Sequence, residues 1–406
     1  MAQPLEGIKV LDFGVAYAAP FGAMMLGDMG ADVIKIERVE GESIRRGRAA
    51  AMDDLDIITG QETEAASFIA VNRSKRALAI DIRHERGREI ILKLAKDTDV
   101  VIECFRPGVM ARLGLGYEDL SRVNPRIIYC SQSGFGEEGP VSRKIGGDMW
   151  AQAMGGVVSY QGSPNGPPYL TGISFVDQGT PAIIAFGVMV ALFVRERTGM
   201  GQHITTSLLQ SVMHMQTVET SDYLIDGILK TKTGRGLGGF MPAGAYRAKD
   251  GDVITIYGSG GQWPIFCKLL GIEHLEKDPR FATDEKRVEH REELYPILDE
   301  AFSKKTRAEW QRLFKEAKMR CDPSLNYQEL FSHPQIEANK MVIDVEHPTR
   351  GKIKNLAPPV KLKKTVAVPS RSAPLLGQHT REILLELGYS AGDIAELEQQ
   401  GVINTG

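Results

Sequence analysis

Asp177 is the residue of this 406-residue chain whose surroundings best suit covalent chemistry. It lies between the apolar run 173–176 and the small residues 179 and 180, and a long apolar segment, 182–194, follows. Backbone N–H groups at the start of a helix carry partial positive charge and can stabilise a developing negative charge. An Asp in this position is more commonly an N-cap, so the local sequence alone favours capping over catalysis.

Basic residues give the second chemical signal. Loops at the carboxyl edge of a parallel sheet converge, so arginines placed there could form one anion site for a phosphate-bearing cofactor. An isolated surface arginine is usually only solvated, and both interpretations stay open on this ground. The arginines that follow the end of a predicted strand, or the tight turn beyond it, are Arg38, Arg83, Arg106 and Arg112.

The remaining signals are weaker. Cys104 and Cys130 each end a predicted strand without a neighbouring histidine, so we expect buried, unreactive thiols. The eight histidines are dispersed without metal-ligand spacing, so no metal site is predicted. A plain turn is the commoner use of a glycine-rich segment, and a gating loop is the alternative at Gly258, Gly260, Gly261 and Gln262.

The elements that must position these residues alternate between strand and helix. Residues 14–19 after the first strand do not form G-x-G-x-x-G, so a nicotinamide dehydrogenase is disfavoured. The alternation predicts an α/β fold with a parallel, doubly wound sheet. Strands are predicted at 8–13, 32–37, 77–82, 100–105 and 126–131, and helices at 20–27 and 85–96.

The second half predicts a smaller domain. Turn residues become frequent between 225 and 250, and the pattern from 263 to 330 is helical and charged. We therefore predict a large domain of residues 1–225 and 331–406 and a small domain of residues 226–330. Further elements are predicted as helices at 182–197 and 380–387 and as strands at 203–206, 253–257, 342–345 and 360–362.

Composition excludes several classes of protein. A net charge of -3 gives no support for nucleic-acid binding or for a basic membrane-surface protein. The most apolar run, 181–194, is shorter than a membrane span, so we expect a buried helix and no membrane. The four cysteines are widely scattered, which predicts reduced thiols and a cytoplasmic setting.

Motifs along nearly the whole chain resemble those of the family III CoA-transferases, the group that contains formyl-CoA and carnitine CoA-transferases. They occur in the order of that family, which makes a chance match untenable. The matching segments are 4–12, 30–38, 74–76, 80–83, 103–108, 124–129, 133–136, 152–156, 166–168, 198–202 and 374–380.

The resemblance implies that Asp177 is the catalytic carboxylate. Its carboxylate would attack a donor acyl-CoA and pass through an aspartyl anhydride and an aspartyl-CoA thioester. CoA and acyl-CoA would then be substrates, with no tightly bound cofactor, and small carboxylic acids would be the acceptors. The donor (succinyl-CoA or acetyl-CoA, for example) and the acceptor cannot be identified from the sequence.

Positions of CoA contact also follow from the resemblance. Cys104 stands where an Asn is common, and Tyr17 replaces a Gln of the formyl-CoA enzymes, which argues against formate and oxalate. Asp148 matches an acidic position near the CoA pantetheine, and a role at a helix N-terminus is its alternative. The implied contacts are Tyr17, Ala18, Arg38, Ile80, Asp81, Arg83, Cys104, Phe105, Arg106, Arg112, Ile145 and Asp148.

Other activities and assemblies remain as alternatives. An α-methylacyl-CoA racemase of this fold has a His before the residue that matches Asp148, where this chain has Gly147. A non-catalytic CoA-binding subunit is the further alternative. The resemblance implies a large Rossmann-like domain with a parallel sheet built from both ends of the chain, a smaller α+β domain and an interlocked homodimer, or a heteromer with a related subunit. Core packing is favoured over an acyl site for Met149, Met154, Met213, Met215 and Met241.

Overall fold

A computed structural model describes residues 3–46, 64–232, 234–235, 241–256, 260–369 and 371–406. The strands are β1 (Lys9–Phe13), β2 (Asp32–Glu37), β3 (Lys75–Ile80), β4 (Val100–Glu103), β5 (Ile128–Ser133), β6 (Gln202–Ser207), β7 (Gly244–Ala248), β8 (Gly251–Ile256), β9 (Arg320–Pro323), β10 (Val342–His347), β11 (Gly351–Leu356) and β12 (Ile403–Asn404).

Helices occupy much of the remainder. They are α1 (Ala18–Asp28), α2 (Ala66–Asn72), α3 (Glu85–Ala95), α4 (Val109–Arg112), α5 (Tyr117–Val123), α6 (Asp148–Met154), α7 (Phe175–Thr198), α8 (Leu208–Met215), α9 (Thr217–Asp226), α10 (Trp263–Leu270), α11 (Asp284–Glu289), α12 (Arg291–Phe302), α13 (Arg307–Glu316), α14 (Tyr327–Phe331), α15 (Pro334–Ala338), α16 (Thr380–Glu386) and α17 (Ala391–Gln399).

A seven-stranded sheet of order β12-β3-β2-β1-β4-β5-β6 forms the centre of the first compact unit. The strands β1 to β6 are parallel, which confirms the predicted α/β fold with a large, mostly parallel sheet. The C-terminal strand β12 pairs with β3 in the antiparallel direction, so both ends of the chain contribute to the sheet, which is parallel except at this edge. The end of the chain therefore closes the sheet beside β3.

Both faces of this sheet are covered, because successive strand residues point to opposite sides. Leu11 and Phe13 join one core together with residues of α3, α16 and α17. Val10 lies on the other side, in a core that includes residues of α1 and α7. This layering gives a Rossmann-like sandwich of helices around a buried sheet.

Helix α7 is longer than the apolar run that the sequence singles out. By length and composition it is the one helix in the described ranges that could cross a membrane, but the core helix of a soluble protein has the same properties. It ends at Gly199, whose φ of 75° is a left-handed cap. Gly201 follows against the backbone of Ile127, where an added Cβ would lie 2.0 Å from the carbonyl oxygen.

The second compact unit comprises residues 157–170 and 222–339, and the first comprises residues 1–156, 171–221 and 340–406. The strands β7, β8 and β9 form an antiparallel sheet within the second unit. Its core is aromatic and includes Trp310, Phe302 and Phe314. Residues 360–362 form no strand, and β10 pairs instead with β11, which the sequence pattern did not reveal.

Candidate active site

Loops at the carboxyl ends of β1 to β4 carry most of the residues predicted to bind CoA. Arg38 directly follows β2, with its side chain 73 % exposed and 3.9 Å from Glu40. Arg83, beyond β3, pairs with Asp81 at 2.9 Å from Nε to Oδ1. That hydrogen bond lowers the pKa of the Asp81 carboxyl and raises the pKa of Arg83. The charge of Arg83 is thus partly neutralised by Asp81, whereas the carboxylate of Glu40 lies farther from Arg38, at 3.9 Å.

The turn after β4 presents two further cations. Gly108 adopts a φ of 81°, which favours glycine, and helix α4 begins directly after it. Arg106 precedes this turn and Arg112 ends α4, and both residues are exposed. Neither side chain forms an ion pair with any residue that the structure describes. Both are therefore available to an anion at this edge of the sheet.

Cys104 fastens the end of β4 to the turn after β1. Its sulfur accepts a hydrogen bond from the backbone N–H of Val15 at 3.1 Å. Burial raises the pKa of the Cys104 thiol to about 12, so the thiol is neutral, as the absence of a neighbouring histidine in the sequence indicates. Beside it, Phe105 is half-buried against the sheet core.

The turn between β1 and α1 is held by buried charges that the sequence analysis did not identify. Asp12 accepts from the N–H of Gly14 at 2.8 Å, and Lys35 donates to the carbonyl of Gly14 at 3.0 Å. Glu42 accepts from the N–H of Ala16 at 3.0 Å. Ala16 has a φ of 61°, a conformation that costs a non-glycine residue free energy and therefore needs such fixed partners.

Lys75 completes this buried cluster. Its ammonium group is fully buried and donates to Asp12, Asn72 and the carbonyl of Pro20, each at 2.7 Å. Burial lowers the pKa of Lys75 to about 8. Burial also acts to lower the pKa of Lys35, but the carboxylate of Glu42 at 2.8 Å and other acidic neighbours raise it overall. The available signal was a charged residue within or at the start of each of the three strands, Asp12 in β1, Lys35 in β2 and Lys75 in β3.

Tyr17 and Ala18 follow directly from this turn. Tyr17 precedes α1 and is partly buried against a small apolar cluster that includes Phe68. Ala18 and Ile80 are almost completely buried.

Asp177 lies in the first turn of α7, and the carboxylate that caps this turn belongs to Asp148 of α6. Oδ2 of Asp148 accepts from the backbone N–H groups of Val176 and Asp177 at 2.9 and 3.1 Å. The N-cap residue itself, Ser174, makes no side-chain capping hydrogen bond. The interpretation of Asp177 as the N-cap is therefore wrong, and Asp148 fulfils that role from a neighbouring helix.

Gln152 extends this contact to the segment before α7. Its amide nitrogen donates to Oδ1 of Asp148, and its amide oxygen accepts from the N–H of Thr171 at 3.1 Å. Asp148 is 9 % exposed, so both of its oxygens are occupied inside the protein. The N–H groups of Val176 and Asp177 are engaged by Asp148, so they do not form the oxyanion site suggested by the position at a helix start.

Topology places Asp177 at the same edge of the sheet as the residues after β1 to β5. A helix that leads into a parallel strand runs opposite to it, so α7 begins at the carboxyl edge. With 24 residues, α7 is roughly 36 Å long, whereas the six residues of β6 span roughly 20 Å. Because its last turn is fixed near the start of β6, its first turn extends beyond the strand ends.

Apolar side chains lie on or beside α6 and α8, the two helices that contact the first turns of α7. Ile145 lies before α6 and is exposed, and the adjoining Met149 and Met154 are about half exposed. Met213 and Met215 of α8 are also exposed, and the side chain of Met215 packs against Gly179 of α7. The interpretation of the methionines as core is therefore wrong for these residues and correct for Met241, which is buried.

The predicted gating loop belongs to the second unit. Gly258 lies outside the described residues, while Gly260, Gly261 and Gln262 form a single turn before α10. Among the residues that the structure describes, no group of three or more His, Cys, Asp or Glu side chains could hold a metal ion.

Comparison with known proteins identifies the family. The model of CoA-transferase family III matches residues 5–380. Succinyl-CoA:glutarate CoA-transferase of Mus musculus is 37% identical over 99% of this chain and 90% of the relative, and formyl-CoA:oxalate CoA-transferase of Streptomyces coelicolor is 32% identical over 99% and 100%. The solved structure of a CAIB/BAIF family protein from Brucella suis has a TM-score of 0.84 at 33% identity and covers 95% of this chain and 100% of that chain. The chain belongs to CoA-transferase family III.

Proposed function

We propose that the protein transfers CoA from a donor acyl-CoA to an acceptor carboxylic acid, with Asp177 as the nucleophile. The observation that carries this proposal is the first turn of α7. There the carboxylate of Asp177 is partly exposed while its backbone N–H is bound by the buried carboxylate of Asp148. A reacting group needs a fixed backbone and an accessible side chain, and Asp177 has both.

The reaction then proceeds through two kinds of covalent adduct. The Asp177 carboxylate attacks the thioester carbonyl of the donor, the C–S bond breaks, and CoA leaves as a thiolate with a mixed anhydride behind it. The thiolate attacks the aspartyl carbonyl and expels the donor acid as a carboxylate, which leaves an aspartyl-CoA thioester. An acceptor carboxylate repeats both steps in reverse and restores Asp177. Covalent catalysis thus divides one difficult exchange into easier acyl transfers.

The carboxyl edge of the sheet is proposed as the CoA site. Arg106 and Arg112 are exposed cations on one turn, and Arg38 lies at the end of β2, so the three guanidinium groups suit the phosphates of CoA. Phe105 offers an aromatic surface for the adenine ring. Residues 1–225 and 331–406 would form this CoA-binding domain, and residues 226–330 the small domain.

Succinyl-CoA and a dicarboxylic acid of the glutarate class are the substrates that we propose. The relative named for succinyl-CoA and glutarate is 37% identical to this chain, whereas the relative named for formyl-CoA and oxalate is 32% identical. Tyr17 stands where the formyl-CoA enzymes have a Gln, and the absence of that amide also disfavours formate and oxalate. The exposed apolar groups of α6, Met149 and Met154, leave room for a longer acyl chain.

A homodimer is proposed for the assembly. Helix α7 presents the apolar side chains Phe186, Val190 and Phe193 to solvent, each at least 45 % exposed. Exposed apolar area of this kind on a helix is a characteristic of surfaces that other chains cover. A related subunit is the alternative occupant, and analytical ultracentrifugation of the purified chain distinguishes the two.

Trapping of the covalent adduct tests the proposed mechanism. The protein is incubated with succinyl-CoA, treated with hydroxylamine or borohydride, and digested for mass spectrometry. We expect the modification at Asp177 and its loss in Asp177→Asn, with CoA binding retained. Asp393→Asn, which changes a partly exposed carboxylate of the α17 capping box, is the matched control and should be modified at Asp177 like the wild type.

Two results would overturn the mechanism. Binding of acyl-CoA without any adduct at Asp177 would point to the non-catalytic subunit, and exchange of the α-proton with solvent in the absence of an acceptor acid would point to the racemase. Full activity of Asp177→Asn would show that another carboxylate reacts.

A further inference from the structure

Glu103, the last residue of β4, has a buried carboxyl group that the proposed mechanism does not use. It is 7 % exposed, and its Oε2 accepts a hydrogen bond from the backbone N–H of Phe105 at 2.8 Å. Phe105 and Arg106 form the turn that carries the proposed CoA site. The carboxyl group of Glu103 therefore fixes the backbone on which these side chains stand.

A chain of hydrogen-bonding groups leads from Glu103 to the surface. Glu103 is the register partner of Ser131 on β5, so the two side chains share one face of the sheet, and the hydroxyl of Ser131 acts to lower the pKa of the carboxyl. Oγ of Ser131 lies 3.0 Å from Nε2 of His203 on β6. The side chain of His203 is 30% exposed, and its Nε2 lies 3.8 Å from the carboxylate of Glu137. One hydroxyl group and one imidazole thus connect a buried carboxyl with solvent.

Neighbouring rings keep this chain in place. His203 stacks on Tyr117 with ring centroids 5.2 Å apart and meets Tyr129 edge-on at 5.5 Å. The hydroxyl of Tyr129 is committed to the carbonyl of Leu115 at 3.1 Å. The titratable or charged groups around Glu103 are Cys104 beside it on the chain, Tyr129 and Cys130 on β5, Glu137 after β5, His203 on β6 and Asp12 on β1.

Burial raises the pKa of Glu103 to about 7, against the hydrogen bonds of Ser131 and Phe105, which act to lower it, while Glu137 raises it further. The carboxyl group therefore changes its protonation state near neutral pH. The neighbours that act directly on the pKa of Glu103 are neutral or acidic, so none of them offsets the effect of burial with a positive charge.

Each protonation state of Glu103 sets a different direction of hydrogen bonding. A neutral carboxyl donates to Ser131, which can then donate to Nε2 of His203. A carboxylate only accepts, so Ser131 must donate to it, and Nε2 of His203 must carry the proton that completes the chain. In both states an oxygen of Glu103 remains to accept from Phe105. Protonation therefore alters the charge beneath the turn without breaking the bond that shapes it.

We propose that Glu103 is a positioning residue for the CoA-binding turn, and that CoA binding is accompanied by proton uptake at its carboxyl group through Ser131 and His203. This inference rests on the proposed CoA site at Phe105 and Arg106. The phosphates of CoA bring several negative charges to this edge, and they favour the neutral carboxyl over the carboxylate. Affinity for CoA therefore falls as pH rises through about 7.

Calorimetric titration with CoA in buffers of different ionisation enthalpy measures this linkage. A tenfold preference of CoA for the protonated form corresponds to uptake of about 0.4 proton per CoA at pH 7 and to a roughly tenfold lower affinity well above that pH. Glu103→Gln mimics the neutral form, since its amide can donate to Ser131 and accept from Phe105. We expect this variant to take up about 0.4 proton fewer than the wild type and to bind CoA with a flatter pH profile.

Two further variants separate the linkage from a merely structural role. Glu89→Gln changes an exposed glutamate of α3 and should keep the proton uptake of the wild type. Ser131→Ala removes the hydroxyl that lowers the pKa of Glu103, so the midpoint of the pH profile should move upward. The phosphate monoester of CoA titrates near pH 6 and contributes equally in every variant.

Equal proton uptake by the wild type and Glu103→Gln would overturn the inference while leaving CoA binding, and hence the proposed function, intact. If the folded wild-type protein bound no CoA at all, the proposed function would fail and this inference with it. If Glu103→Gln does not fold, the Ser131→Ala variant tests the inference instead. An unchanged midpoint of its pH profile of CoA binding would also overturn the inference.

Discussion

Replacement of Asp148 by alanine should destabilise the protein and slow CoA transfer together. The change removes the acceptor of two backbone N–H groups at the start of α7 and one partner of Gln152. Loss of a capping side chain costs about 1 kcal/mol, and loss of a carboxylate from a helix N-terminus costs roughly another 0.3–1 kcal/mol. Because Val176 is buried and its N–H cannot turn to water, we expect about 2 kcal/mol in the free energy of unfolding.

The kinetic effect follows from the position of Asp177, which shares this cap. A displacement of about 1 Å at a reacting group can lower the rate by about 100-fold, so kcat should fall by about this factor while KM for acyl-CoA changes little. Asp148→Asn is the more discriminating variant. The N–H of Thr171 can only donate and so fixes the amide of Gln152 with its nitrogen toward residue 148. An Asn amide nitrogen cannot accept, so one hydrogen bond is lost when it faces Gln152 and two are lost when it faces the start of α7.

Urea unfolding and steady-state kinetics of both Asp148 variants test this reasoning. The control is Asp393→Ala, which removes a capping carboxylate from α17 and should lower stability by a similar amount without altering kcat. The opposite pattern for Asp148→Ala, with unchanged unfolding and a raised KM for acyl-CoA, would refute the capping role. It would support instead the pantetheine contact that the family resemblance implies.

Three further predictions concern the charged groups around the sheet. Arg106→Ala should raise KM for acyl-CoA about tenfold at low salt and by a smaller factor at high salt, which initial rates at two ionic strengths test. Arg122→Ala, the control, should leave KM unchanged. Asp12→Asn leaves the ammonium group of Lys75 buried without its counter-charge and should lower the free energy of unfolding, measured in urea, by about 3–5 kcal/mol. Part of this loss should be regained when Lys75 is replaced by Met as well. The pKa of Glu103 is raised in the folded protein, so its ionisation lowers the free energy of unfolding as pH rises from about 4.5 to about 7. The free energy of unfolding of Glu103→Gln should therefore gain up to about 3 kcal/mol over that of the wild type between pH 5 and pH 8, and a constant difference would contradict this.

Local patterns in the sequence were sufficient to predict the central sheet. Residues 100–102 are all apolar because both faces of a parallel sheet are buried. The arginines after the strands were predicted to share one edge because the strands run in the same direction. The two-residue strand β12 has too few residues for any period to be visible. Its direction depends on where the C-terminal helices place the end of the chain.

The supporting contacts of the candidate site could not be predicted in the same way. Asp148 caps a helix that begins 27 residues later, and nothing in either segment specifies that they meet. Lys35 lies between two isoleucines and Lys75 beside Arg76, positions at which a lysine side chain is usually solvated, yet both ammonium groups are fully buried. Their counter-charges are Glu42 and Asp12, which come within reach only because β1, β2 and β3 lie side by side in the sheet.

The pairing of Asp148 with the start of α7 also indicates which of the two acidic residues reacts. A carboxylate whose oxygens both accept hydrogen bonds inside the protein is a poor nucleophile, because attack would require those bonds to break first. Asp148 is in that state, with two backbone N–H groups and the amide of Gln152 as donors. Asp177, whose backbone N–H is one of these donors, is partly exposed. The buried carboxylate therefore fixes the helix, and the partly exposed Asp177 is the residue that we propose attacks the thioester.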